Sequence, residues 1–151
     1  MNAQERIALS QILHQNAIDY WYDVDHNWGR NVARFFVDDA VFDGMQGIEA
    51  IKKFYAWREG RGARVARHLI ANFHAEILSP TEVKTTYILT IYAHDGVAPM
   101  PMVEPMVISD QVDHCVLCPD GVWRYKSRDL RGLFKSEYPA TKPPADLLAK
   151  A

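Results

Sequence analysis

The chain has 151 residues, 48% hydrophobic, 24% charged and 11% aromatic, with a formal net charge of −2. A single domain of this length buries about two-thirds of its unfolded surface, and its balanced, dispersed charge leaves no electrostatic footprint for nucleic acid. No apolar run reaches the length of a signal-peptide core or a membrane span, so a soluble cytoplasmic protein without a membrane partner is expected.

Leu9, Leu13, Ala17, Tyr20 and Val24 recur at helical spacing and predict an amphipathic helix over about 4–24, with Ile12 and Trp21 widening its stripe. Asp25-His26-Asn27 interrupts the pattern. Either Asp25 or Asn27 can cap a second helix, expected from Trp28 to Val37 with Val32, Phe35 and Phe36 buried. Phe42 falls in a short extended segment before Gly44 and Gly47, and a third helix is expected from about Ile48 to Arg58.

From Arg67 the period changes. Four strand-like runs, at about 67–78, 82–95, 104–117 and 122–134, are separated by Ser79-Pro80-Thr81, the segment 95–101 and Pro119-Asp120-Gly121. Helices first and strands second, joined by short turns, predict an α+β domain over 1–138 with an antiparallel sheet. A curved sheet closed on one side by the helices makes a cone with an interior pocket. The tail 139–151, with Pro143-Pro144, is read as a short lid helix or a loose end.

The chemistry-bearing residues are scattered. Asp25 sits at the exit of the first helix, His68 opens the first long strand and His94 ends the next. A carboxylate that orients an imidazole, with a second imidazole beside it, suits proton abstraction and leaving-group protonation. Plainer readings stand next to these. Asp25 is well placed to cap a helix, and His68 belongs to an alternating set with Ile70, Asn72, His74 and Glu76 that suits a half-exposed face. His94 can simply enter a loop. Tyr20 fits a core aromatic or a hydroxyl aimed into the cavity, and Tyr55 and Trp57 fit core or pocket wall. Asp110 and His114 alternate with Ile108, Val112 and Val116, so they are pocket contacts or outward residues. Cys115 and Cys118 lack a second ligand pair and read as packing residues; no H-x-x-x-H cluster is present, so neither a metal nor another cofactor is expected.

Val24-Asp25, the run from Phe35 to Phe42, Gly47-Ile48-Glu49-Ala50-Ile51, Arg67-His68 followed by Asn72, and Asp120-Gly121-Val122-Trp123 together resemble a SnoaL-like domain. That family belongs to the NTF2-like superfamily, and the resemblance runs from about Ile7 to Phe134. It implies a cystatin-like α+β barrel. The pairing of Asp25 with His68 is similar to the aspartate–histidine pair of scytalone dehydratase, bile-acid dehydratase and hexachlorocyclohexane dehydrochlorinase. His94 matches the second histidine of scytalone dehydratase to within one residue of spacing. Tyr20 stands where the dehydrochlorinase has lysine and is like the bile-acid dehydratase. Ser109-Asp110-Gln111 only partly replaces the serine and asparagine of scytalone dehydratase, and Phe42 stands near its missing tyrosine.

What the resemblance implies is a cofactor-independent lyase of the dehydratase kind. Asp25 would orient His68, His68 would take a carbon-bound proton, and Tyr20 or Asn72 would donate to developing charge. His94 or the protonated His68 would serve the departing hydroxyl. Asn72, Tyr55, Asp110, Phe42 and Trp57 would contact a small hydrophobic, cyclic or polyketide-like substrate. A homo-oligomer, dimer or trimer, is implied too. Isomerase or cyclase chemistry in the same pocket, and a non-catalytic ligand-binding or oxygenase small-subunit role, are the rival readings.

Overall fold

The computed structural model describes residues 1–137. Helix α1 (Ala3–Asn27) starts with a capping box: Asn2 Oδ1 accepts the Glu5 N–H at 2.9 Å and Glu5 Oε2 accepts the Asn2 N–H at 2.8 Å. Its buried stripe is Leu9, Leu13, Ala17, Tyr20, Trp21 and Val24. Ile12, expected on the flank of that stripe, is exposed.

The helix runs a turn past Val24 and stops at Trp28, which adopts the left-handed conformation with φ 59°. Asp23, rather than Asp25 or Asn27, secures the turn. Its carboxylate accepts the Asn31 N–H at 3.0 Å and the side-chain amides of Asn27 and Asn31 at 2.8 and 3.1 Å. Asp25 is thereby left free of capping duty.

The helix expected over Trp28–Val37 does not form. A single 3₁₀ turn (Val32–Phe35) leads directly into strand β1 (Phe36–Phe42). Val32, Phe35 and Phe36 suit a helical face, but Phe36, Ala40 and Phe42 are all buried, and Phe36 pairs with Tyr125. Sheet pairing and burial along β1 override the helical spacing.

A short β2 (Met45–Gln46) and helix α2 (Ile48–Gly60) follow, then β3 (Arg64–Ser79), β4 (Glu82–Asp95), β5 (Val107–Leu117) and β6 (Trp123–Lys135). The sheet order is β2-β1-β6-β5-β4-β3, a curved, unclosed six-stranded sheet with two helices. The architecture is α+β. One pairing departs from the antiparallel expectation: β1 runs parallel to β6.

Strand β3 carries a bulge. Its pairing with β4 slips between Ala71 and His74, where Asn72 takes φ 53°. The slip changes which parity faces inward, from Ala66, His68 and Ile70 to Phe73, Ala75 and Ile77. One strand thus offers His68 to the interior and His74 and Glu76 to solvent. The tail 139–151 lies outside the described residues. Among the described residues no helix is long and apolar enough to cross a membrane.

Candidate active site

The concave face of the sheet and the two helices enclose a cavity of about 320 Å³, near the lower end of the range for ligand pockets. His68 lines it, carried inward by the β3 segment ahead of the bulge. Asp25, in the last turn of α1, reaches across and binds His68 twice. Its Oδ1 lies 2.6 Å from His68 Nδ1, and its Oδ2 accepts the His68 backbone N–H at 2.8 Å. Both side chains are almost fully buried, 6% exposed for His68 and 5% for Asp25.

Two contacts fix the ring: the carboxylate along its edge and Trp21 against its face, with centroids 4.2 Å apart and planes inclined by 10°. Nδ1 donates to Asp25, which leaves Nε2 as the nitrogen presented to the cavity. Burial pushes the imidazole pKa below its ordinary value of 6.5 and prevails over the upward pull of Asp25. The ring is therefore a neutral base at neutral pH.

Beneath Trp21 lies a buried polar network. Trp21 Nε1 donates to Tyr87 Oη at 2.9 Å, and Arg128 Nη2 donates to the same oxygen at 2.5 Å. Arg128 also grips Asp113 through Nε at 2.9 Å and Nη2 at 3.1 Å, while Gln111 Nε2 donates to Asp113 Oδ1 at 2.7 Å. The rings of Tyr20 and Tyr125 lie 4.0 and 4.1 Å from the guanidinium carbon. Burial opposes the charge on Arg128, but Asp113 and the surrounding tyrosines hold it protonated.

Tyr55, from α2, stands in the cavity wall and shares a short hydrogen bond with Tyr20. Burial raises both phenols, so each hydroxyl keeps its proton. The close approach of Tyr55 to the α1 exit requires Gly29, at φ 73°, where any Cβ would collide with the tyrosine ring.

The SnoaL-like domain family matches residues 6–129. This chain is a SnoaL-like protein. Among curated proteins none matches its sequence. A scytalone dehydratase-like protein of Novosphingobium aromaticivorans superposes with a TM-score of 0.78 at 21% identity, over 93% of this chain and 94% of that one. Aln2 from a Streptomyces species gives 0.71 at 23% identity, over 83% of this chain and 90% of that one. ActVI-ORFA from Streptomyces coelicolor gives 0.72 at 15% identity, over 82% and 97%. These likenesses establish the fold.

In this SnoaL-like chain the residues read from sequence separate into two groups. Asp25, His68, Tyr55 and Phe42 come together at or beside the cavity, with Tyr20 fully buried behind Tyr55 and not in the lining. Four others lie elsewhere. Asn72 is exposed, because the bulge turns it out of the inward set. His94 is on the opposite face of β4 from the lining residue Ala93, with Nδ1 2.8 Å from the Asp95 carbonyl, in a separate recess beside Glu104. Asp110, like His114, falls on the outer parity of β5, whose buried set is Ser109, Gln111, Asp113 and Cys115. Trp57 stacks on Phe54 and lies under Arg61, outside the lining.

Lining residues that the sequence does not single out include Trp21, as the stacking partner of His68, Gln111, Arg58 and Arg64. Gln111 does carry a signal, since it shares a parity with Ser109 and Asp113. Its Oε1 is buried without a hydrogen-bond partner among the described residues.

Proposed function

We propose that the protein is an acid–base lyase that removes water from a small cyclic hydroxylated substrate, with His68 as the base. The observation that supports this reading is the double grip of Asp25 on His68, which sets the imidazole tautomer and turns Nε2 toward an apolar cavity. A group that served packing alone would have no need of an oriented, neutral imidazole there.

In the proposed reaction His68 Nε2 takes a proton from a carbon acidified by a neighbouring carbonyl. The C–H electron pair becomes the new carbon–carbon π bond, and the adjacent C–O bond breaks. Asp25 stabilises the imidazolium as it forms. Tyr55, accepting from Tyr20, has its own proton for the carbonyl oxygen as negative charge grows there. The imidazolium then returns its proton to the departing hydroxyl. Water leaves and the base is restored, so His68 fills both roles and His94 is not required.

The test is to incubate the protein with mono- and bicyclic β-hydroxyketones and follow product mass. Loss of water with wild type, falling by about 10²–10⁴-fold in His68→Ala, is the expected result. A product of unchanged mass would assign an isomerase. Equal activity in His68→Ala would remove the assignment altogether.

A further inference from the structure

Arg58 is a buried arginine without a counter-ion among the described residues. It is 8% exposed, projects from the last turn of α2 and lines the cavity shared with His68. Among the described residues it makes no hydrogen bond or ion pair. Asp25, the carboxylate that acts on it electrostatically, has both oxygens engaged by His68. A guanidinium carries five donors, and burying it unpaired is costly.

The surrounding charge has the same sign. Arg64 also lines the cavity, its Nε buried and without a partner among the described residues, although its Nη1 bonds the exposed Asp95 at 2.7 Å. Lys135 stands in the exposed part of the lining, and the one lining carboxylate, Asp43, is likewise exposed. Three cations thus face a single rim acid. The rest of the wall, including Trp21, Phe42 and Phe54, is aromatic or aliphatic. Burial lowers the Arg58 pKa from its ordinary value, as an uncompensated charge requires.

We infer that Arg58 is the anchor of an anion subsite and that the ligand is a mono- or bicyclic carboxylic acid, its ring against the aromatic wall and its carboxylate on the guanidinium. The planar fork of Arg58 suits a bidentate carboxylate. This deepens the lyase reading by naming its substrate class and rests on it for the chemistry, but the binding preference does not depend on turnover.

The experiment is calorimetric titration with 2-naphthoate and 2-naphthamide, a pair matched in shape and differing in charge. It uses wild type, His68→Ala, Arg58→Gln and Arg58→Lys, each checked for folding by thermal melting. The acid should bind wild type and His68→Ala about 10- to 100-fold more tightly than the amide. That ratio should collapse toward one in Arg58→Gln and recover in part in Arg58→Lys. A preference kept by His68→Ala while wild type turns over no hydroxyketone upholds the subsite and removes only the lyase. A ratio near one in wild type, or no binding of either compound, overturns the subsite. So does a preference that survives Arg58→Gln. If Arg58→Gln does not fold, the wild-type ratio and the Arg58→Lys response still decide.

Discussion

At the scale of single residues, the site depends on a histidine whose proton inventory is set by two opposed forces. Burial lowers the His68 pKa, and the Asp25 hydrogen bond raises it by less. The folded state therefore binds fewer protons at this position than the unfolded chain does below the ordinary value of 6.5. The stability contributed by neutral His68 is complete above that pH and is lost as pH falls through the window beneath it. The acidic limb of kcat/KM should follow the same group, rising to a plateau with its inflection below 6.5. Asp25→Asn removes the force that raises the pKa and the charge that steadies the imidazolium. We expect a smaller rate loss than in His68→Ala, with the limb moved to lower pH in a kcat/KM profile. An unmoved limb would mean that Asp25 does not act on the titrating base.

Legibility at this scale varies with what each residue's neighbours disclose. Asp25 and His68 are read as a pair through the SnoaL-like resemblance; by position alone Asp25 suits a helix cap and His68 a half-exposed face. Arg58 is hidden, since a basic residue in the last turn of a helix is an ordinary complement to the helix dipole. Asp110 draws the eye ahead of Gln111 because apolar neighbours commonly mark the inner face. In β5 that rule inverts: Ile108, Val112 and Val116 share the outer parity, while Ser109, Gln111 and Asp113 are fully buried, Gln111 and Asp113 in the Arg128 network and Ser109 bonded to the Leu89 carbonyl.

At the scale of elements, the long periodic stretches can be read directly. The α1 stripe matches its buried face, and β4 occupies the expected 82–95. Positions where one backbone angle changes the outcome cannot be read. Asn72 in the left-handed region shifts the inward parity of β3 by one residue, and Asn is among the few residues that enter this region readily. The segment from Trp28 to Val37 is ambiguous for another reason: its parallel partner, β6, lies at the far end of the described chain and leaves no local trace. The α1 exit is also where the two helices meet. Gly29→Ala should place a Cβ against Tyr55 in a backbone conformation that alanine resists. We expect a loss of about 2–4 kcal/mol in chemical denaturation, together with weaker ligand binding as Tyr55 is displaced. A loss below about 0.5 kcal/mol would show that the two helices adjust without cost.

At the scale of the whole molecule, the curved sheet of this SnoaL-like chain buries a polar network behind the cavity. Arg128 and Asp113 are both fully buried, and their network supports Trp21, which in turn stacks on His68. Removing one member leaves the other charge buried and unpaired. Asp113→Ala should cost about 3–5 kcal/mol in denaturant titration. A ligand-binding defect at temperatures where the variant is still folded should accompany it, because Trp21 loses its anchored Tyr87. A loss near zero would mean that Arg128 finds water or another acceptor, and that the network is not what positions the Trp21 face. The same arrangement explains why an open sheet serves as a vessel: the Arg128–Asp113 pair is buried behind Trp21, and Trp21, Phe42 and Phe54 offer an aromatic wall to a ring.

The protonation of one ring decides whether His68 can act as the base, and it can be measured without a substrate. Two-bond nitrogen–proton correlation spectra of the imidazoles, followed through a pH titration, give both the tautomer and the pKa of His68, assigned by loss of its signals in His68→Ala. The expected result is a neutral ring protonated at Nδ1 with Nε2 bare, titrating below 6.5. A ring protonated at Nε2, or one that remains an imidazolium above that pH, would contradict it.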